Sequence, residues 1–133
     1  MSKVKELNGV LITVGEINKI EKKTVKITDY HDWYPLLNCD LIDIVTRQIG
    51  KNYYDIVCDD EGLFKEPLIP ACLNFNEEGH PEEIINGNVF ICGLADDNGD
   101  LTSLTEEGIE EILKNIVTVW YKDMIQIVIK TKF

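Results

Sequence analysis

Residues 93–107, GLADDNGDLTSLTEE, carry five acidic side chains around Gly99, and loops this rich in carboxylate oxygen are the usual ligands of hard cations such as calcium. Counting a twelve-residue loop from Asp96 places Asn98 third, Asp100 fifth and Glu107 twelfth, the ligand spacing of an EF-hand. Leu101 then falls at the sixth position, where the bend needs a positive φ that leucine resists. The competing reading is a β-to-α turn with Gly99 left-handed and Ser103 capping the following helix, which needs no metal and no cofactor. A second acidic turn, Asp59-Asp60-Glu61-Gly62, either joins Asp96, Asp97 and Asp100 in a shared carboxylate site for two-metal or glycoside chemistry, or stands apart as a solvated turn at the end of a neighbouring strand.

Other chemistry finds less support. His31 and His80 are the only histidines, the residue type suited to act as a neutral-pH base, and neither stands in a serine or cysteine nucleophile motif. Neither G-x-x-x-x-G-K-[ST] nor G-x-G-x-x-G occurs. Cys39, Cys58, Cys72 and Cys92 are 14 or more residues apart and form no C-x-x-C pair, so they read as packed thiols. The expectation is a protein without enzymatic activity.

Charge is distributed unevenly. The net charge is −11, yet residues 1–28 carry six lysines against three glutamates and residues 113–133 carry four lysines against Asp123. Residues 29–112 hold 20 acids against Arg47, Lys51 and Lys65. A field of this sign repels nucleic acid, whose phosphates require Lys and Arg. The longest apolar runs, Gly9–Val14 and Ile125–Ile129, are far short of the roughly 20 residues that cross a bilayer, and the start, MSKVKELN, lacks the apolar core of a signal peptide. The expected location is the cytoplasm, with no membrane association.

The elements that must position these side chains are mostly strands. GVLITVG (9–15) and KTVKIT (23–28) flank a polar stretch and predict an antiparallel pair. Asp29 is placed to cap a short helix that Pro35 limits to a turn or two. LIDIVTRQIGKNYYDIVCDD (41–60) alternates apolar and polar residues on either side of Gly50-Lys51 and predicts a hairpin. Residues 63–88, with Pro67, Pro70 and Pro81, read as an irregular excursion with one helical turn near Leu68–Leu73, and Asn88–Leu94 as a further strand. Leu104, Ile109, Ile112, Leu113 and Ile116 recur at three- and four-residue spacing, which predicts an amphipathic helix over 103–117, with Ser103 as cap and Thr105 as a competing cap. The tail MIQIVIKTKF returns as an edge strand guarded by Lys130 and Lys132.

Together these elements predict one α+β domain over 1–133, a mostly antiparallel sheet of five or six strands with one main helix packed on it. Residues 118–133 form its edge strand or an extension, and an exposed edge there would let the chain form a homodimer.

On that helix Glu106 and Glu110, and Glu107 and Glu111, are like-charge pairs at i,i+4, each costing about 0.2–0.5 kcal/mol. With Asp59, Asp60, Glu61, Asp96, Asp97 and Asp100 they define a candidate negative surface that a nucleic-acid-binding protein would take for phosphate. The alternative is a small-ligand or nucleotide-binding module built on Tyr30, Trp33, Tyr34, Arg47 and Phe64. Against it, an anionic ligand wants arginines, and Arg47 is the only one.

CDLIDIVTRQIGKNYYDIVCDDEGL followed by NGNVFICGLADDNGDLTSLTEE resembles an uncharacterised small-domain family, a domain of unknown function from proteins of bacteriophages and conjugative elements, over about residues 10–117. The resemblance transfers no catalytic residue. It implies a mobile-element setting, in which small acidic proteins counter host defences by DNA mimicry towards restriction or CRISPR nucleases, or by sequestering a nucleotide signal. The partner expected on this basis is a host protein, a nuclease or another nucleic-acid-binding protein.

Overall fold

The computed structural model describes residues 5–65, 68–121 and 123–133. The first four residues, read above against a signal peptide, lie outside the described residues, as do Pro67 and Lys122. Among the described residues no helix is long and apolar enough to cross a membrane.

Strands β1 (Lys5–Thr13) and β2 (Lys19–Ile27) form the expected antiparallel pair, in register from Lys5 opposite Ile27 to Thr13 opposite Lys19. The hairpin is also present, as β3 (Ile42–Ile49) and β4 (Asn52–Asp59), turning through Gly50 at φ 66°. After β4 the chain leaves the first sheet as β5 (Pro70–Phe75) and β6 (Pro81–Asn86), and β7 (Val89–Cys92) returns to the centre of that sheet between the two pairs, antiparallel to both β1 and β4. The first sheet therefore has the order β2-β1-β7-β4-β3. The second contains β5, β6, β8 (Ile116–Tyr121) and β9 (Met124–Thr131), in the order β6-β5-β9-β8, with β5 and β9 parallel.

The fold is thus mostly β, with two sheets of five and four strands instead of one of five or six, and two short helices. The helix expected over 103–117 is only α2 (Glu106–Leu113), which follows α1 (Trp33–Leu37) in the chain. Its cap is Thr105, whose hydroxyl accepts from the Gly108 N–H at 3.0 Å; the Ser103 hydroxyl instead accepts from the Asn8 N–H at 2.9 Å. Ile116 kept the helical spacing because it faces the same core, but it does so from β8, opposite Ile129.

The proline-rich excursion over 63–88 contains the β5–β6 hairpin. Pro70 and Pro81 stand first in their strands, where a missing N–H costs least, so they mark strand starts and the turn expected near Leu68–Leu73 is a strand. The tail also differs from expectation. Its strand β9 is an inner strand held between β5 and β8, and the edge falls to β8. Asp29 does cap, accepting from the His31 N–H at 2.8 Å at the start of a 3-10 turn over Tyr30–Asp32 that runs into α1.

The five-stranded sheet is covered on both faces. Val10, Ile12, Ile56 and Ile91 meet Ala71, Cys72 and Ile129 of the second sheet, with Ile109 and Ile112 of α2 closing the layer. On the other face Leu11, Val57, Phe90 and Cys92 lie under Trp33 and Leu37 of α1. Asn18, in the β1–β2 turn, ties the sheets together by donating from Nδ2 to the Pro70 and Ile127 carbonyls at 2.7 and 2.9 Å. Gly9 sits where the Phe90 ring crosses β1, and a Cβ there would collide with that ring and with the Ile91 carbonyl. Gly9→Ala should therefore lower unfolding stability by about 1–3 kcal/mol, as overpacking does, read from the midpoint of urea unfolding followed by far-UV circular dichroism.

Candidate functional site

The antiparallel register of β4 and β7 sets Asp55 opposite Cys92 and Val57 opposite Phe90. The chain leaving β7 therefore emerges at the same end of the sheet as the Gly50-Lys51 turn, and the Asp59–Gly62 turn lies at the opposite end. Asp55, buried in β4, anchors the emerging loop: one carboxylate oxygen accepts from the Thr46 hydroxyl at 2.6 Å and the other from the Ala95 N–H at 2.9 Å. Gly93 and Thr102 bridge the base of the loop. At its tip Asp96 Oδ1 accepts from the N–H groups of Asn98 and Asp100 at 2.9 and 3.0 Å, and Gly99 takes φ 80°. These contacts build a β-to-α turn with Gly99 left-handed as expected and Thr105, not Ser103, at the cap, and Leu101 packs towards the α1 side of the sheet. Among the described residues no three His, Cys, Asp or Glu side chains are grouped as metal ligands.

Helix α2 sits at this same end, held there by Glu111. Its carboxylate accepts from the Lys51 N–H at 3.0 Å, from Asn52 Nδ2 at 2.8 Å and from the Tyr54 hydroxyl at 2.6 Å, which pins the helix to the hairpin turn. The hydrogen bond from Tyr54, followed by those from Asn52 and the Lys51 amide, holds the Glu111 pKa below its ordinary value. Burial, reinforced by the bond to Glu111, pushes Tyr54 up to about 12. A crevice of about 550 Å³ opens beside this contact, lined by Tyr53, Leu94, Thr102, Glu107 and Gly108 among others.

The sequence-predicted acids divide into three groups. Asp96, Asp97, Asp100, Glu107 and Glu110 are exposed at the α2 end, and no ion pair reaches them among the described residues. Glu106 is exposed at the same end but pairs with Lys22 at 3.0 Å. Asp59, Asp60 and Glu61 lie at the far end of β4, so neither a shared carboxylate site nor one continuous patch with Asp96 forms. There Asp59 is nearly buried, its side chain 5% exposed, and it pairs with Lys65 at 2.7 Å while accepting from the Glu61 N–H at 2.9 Å.

Of the five residues proposed for a ligand pocket, Tyr30, Trp33 and Tyr34 share one segment and Arg47 and Phe64 lie elsewhere. Trp33 is 3% exposed, its ring packed 5.5 Å from that of Phe90, while Tyr30 and Tyr34 flank His31 on the outside. Arg47 lies on the opposite face of the sheet, bound to Glu83 and 4.8 Å over the Phe133 ring. Phe64 protrudes alone, 87% exposed. These positions build no common pocket.

All four cysteines are free and buried, and desolvation raises each thiol, Cys58 and Cys92 to about 12. Sequence reasoning missed Asp55, Tyr54 and Lys22. Asp55 looked like the solvent-facing alternate of a hairpin strand, and Tyr54 and Glu111 are too distant in sequence for any pattern to link them.

The fold and these contacts define a small two-sheet β protein with an acidic end built from one loop and one short helix. The chain belongs to the family described as domain of unknown function (DUF3846), whose profile matches residues 8–117. No curated protein and no solved structure matches it. The matched span includes the whole acidic end and stops within β8.

Because the folded-state pKa of Glu111 lies below its unfolded value, its contribution is present above the ordinary glutamate range and is lost as pH falls through the folded value. Glu111→Gln should destabilise the chain by about 1 kcal/mol at neutral pH after solvent screening. Urea unfolding as a function of pH should show the gap between variant and wild type close as the solution is acidified below the glutamate range.

Proposed function

We propose that the chain is a non-catalytic protein-binding module whose acidic end docks on the basic surface of a nucleic-acid-binding protein, in the manner of a phosphate mimic. The observation that carries this reading is the set of five exposed carboxylates of Asp96, Asp97, Asp100, Glu107 and Glu110 at one end of the first sheet, with no ion pair to any of them among the described residues. Asp55 and Glu111 hold the loop and helix on the β4 frame, so the charges are pre-organised and little ordering entropy is lost on binding. Glu106 and Glu107 are further stabilised in the first turn of α2 by the helix dipole. Asp60 and Glu61, at the far end, lie outside this interface. In the mobile-element setting that the family resemblance implies, the partner is a host-defence nuclease in the cytoplasm, and the action is anti-restriction or anti-CRISPR inhibition. The small-ligand reading has no comparable support, because Trp33 is buried and Arg47 and Phe64 stand apart from Tyr30 and Tyr34.

Immobilised full-length chain, exposed to the heparin-retained fraction of a bacterial lysate, should retain proteins that duplex DNA and rising salt both displace. The triple variant D97K/E107K/E110K, which leaves Asp55 and Glu111 intact, should weaken that retention by roughly tenfold and flatten its salt dependence. Retention that ignores the charge reversal, or that DNA does not compete, would overturn the reading.

A further inference from the structure

The crevice of about 550 Å³ between α2 and the start of β4 has a chemistry of its own. No lysine, arginine or histidine lines it, so an anion finds no counter-charge there. Most of its polar groups are already engaged inside the fold. The Thr102 hydroxyl donates to the Leu94 carbonyl at 2.8 Å, the Ser103 hydroxyl accepts from the Asn8 N–H, the Thr105 hydroxyl caps α2, and the Glu111 carboxylate holds three donors. What stands open is the ring of Tyr53, 49% exposed, the side chain of Leu94 at 47%, and the exposed carboxylate of Glu107, which no ion pair reaches among the described residues. Gly108 adds the room. It lies inside α2, where glycine costs about 0.5–1 kcal/mol relative to alanine. Packing does not demand it, because an added Cβ would meet Thr105 Oγ1 and Tyr54 Cε1 at 3.4 Å, an ordinary contact. Such a Cβ would instead occupy the crevice, which Tyr54, Thr105 and Gly108 line together.

We infer that this crevice is an arginine socket, in which a guanidinium from the protein partner stacks on the Tyr53 ring and pairs with the Glu107 carboxylate while its aliphatic stem lies against Leu94. The inference rests on the docking reading above and narrows it, because exposed carboxylates alone accept any cation. Lysine fits the crevice less well. An ammonium is compact, strongly hydrated and in need of several acceptors, and the crevice offers it one free carboxylate. A guanidinium is planar and weakly hydrated, meets a carboxylate with two N–H groups at once and presents its face to an aromatic ring. The walls do not have to move to receive it. Tyr54 and Glu111 tie α2 to β4, and Asp55 holds the Ala95 N–H on the side of Leu94, so little ordering entropy opposes insertion.

Isothermal titration of the full chain, in salt of about 0.15 M, with acetylated tetra-arginine amide and acetylated tetra-lysine amide separates the socket from charge alone. Tetra-arginine should bind about tenfold more tightly. Tyr53→Ala, at an exposed position, should bring arginine binding down to the lysine value. Gly108→Ala should weaken arginine binding while raising the midpoint of urea unfolding, opposite changes that damage to the fold cannot produce. Equal affinities for the two peptides, including none for either, overturn the inference, as does an arginine preference that both variants keep. After either result, retention of DNA-displaced proteins from the lysate leaves the docking reading standing, and loss of that retention removes the reading as well.

Discussion

The constraint on which the rest of the structure depends is that β7 has no polar residue. Val89, Phe90, Ile91 and Cys92 are all fully buried, two on each face of the central position of the first sheet. A strand apolar on both sides needs cover on both sides, and the chain supplies it from different directions. The second sheet and α2 cover one face, and the segment around α1 covers the other. Each layer over β7 buries apolar area at about 25 cal/mol per Å². The connections that reach these layers must cross the ends of the sheet, which is where polar residues can remain in water. The acidic loop and the N-terminus of α2 are therefore where they are because β7 is where it is.

Within that frame, the carboxylates have different tasks that composition cannot separate. Asp55 is buried and accepts two hydrogen bonds, Glu111 locks the helix to a turn, and Asp59 is neutralised by Lys65. Removing any of these would leave a partner donor or charge unsatisfied, so their role is in stability. Asp97, Glu107 and Glu110 have no such partner among the described residues, and their charge is available to an external surface. A net charge of −11 is thus partly internal scaffolding, and the field at the α2 end comes from a minority of the acids.

Much of the first sheet was legible in the sequence because its signals are local. Alternation in Ile42–Cys58 around Gly50 specifies a hairpin by itself, and the β-rich runs before residue 28 specify another. The second sheet was obscured because two of its four strands, β5 and β6, begin with prolines, which read as breaks, and because β5 pairs with a strand more than fifty residues later. The length of α2 was overstated for a related reason: Ile116 faces the core from a strand, and helical spacing cannot distinguish that from one more turn. For the site, the individual acids could be named from the sequence, but their division between two ends of β4 follows from the β4–β7 register, a long-range pairing with no local signature.

The inner position of β9 has a consequence for how the chain folds. Strand β5 is complete by residue 75, yet its parallel neighbour in the second sheet spans residues 124–131, so one flank of β5 stays open until that later strand has left the ribosome. The first sheet can close once β7 is made, at residue 92, and then serve as a template on which the later strands settle. Closing loops of this length before the contacts that reward them is slow. Assembly is thereby ordered in time, with an early template and a late layer that waits for strands made after it.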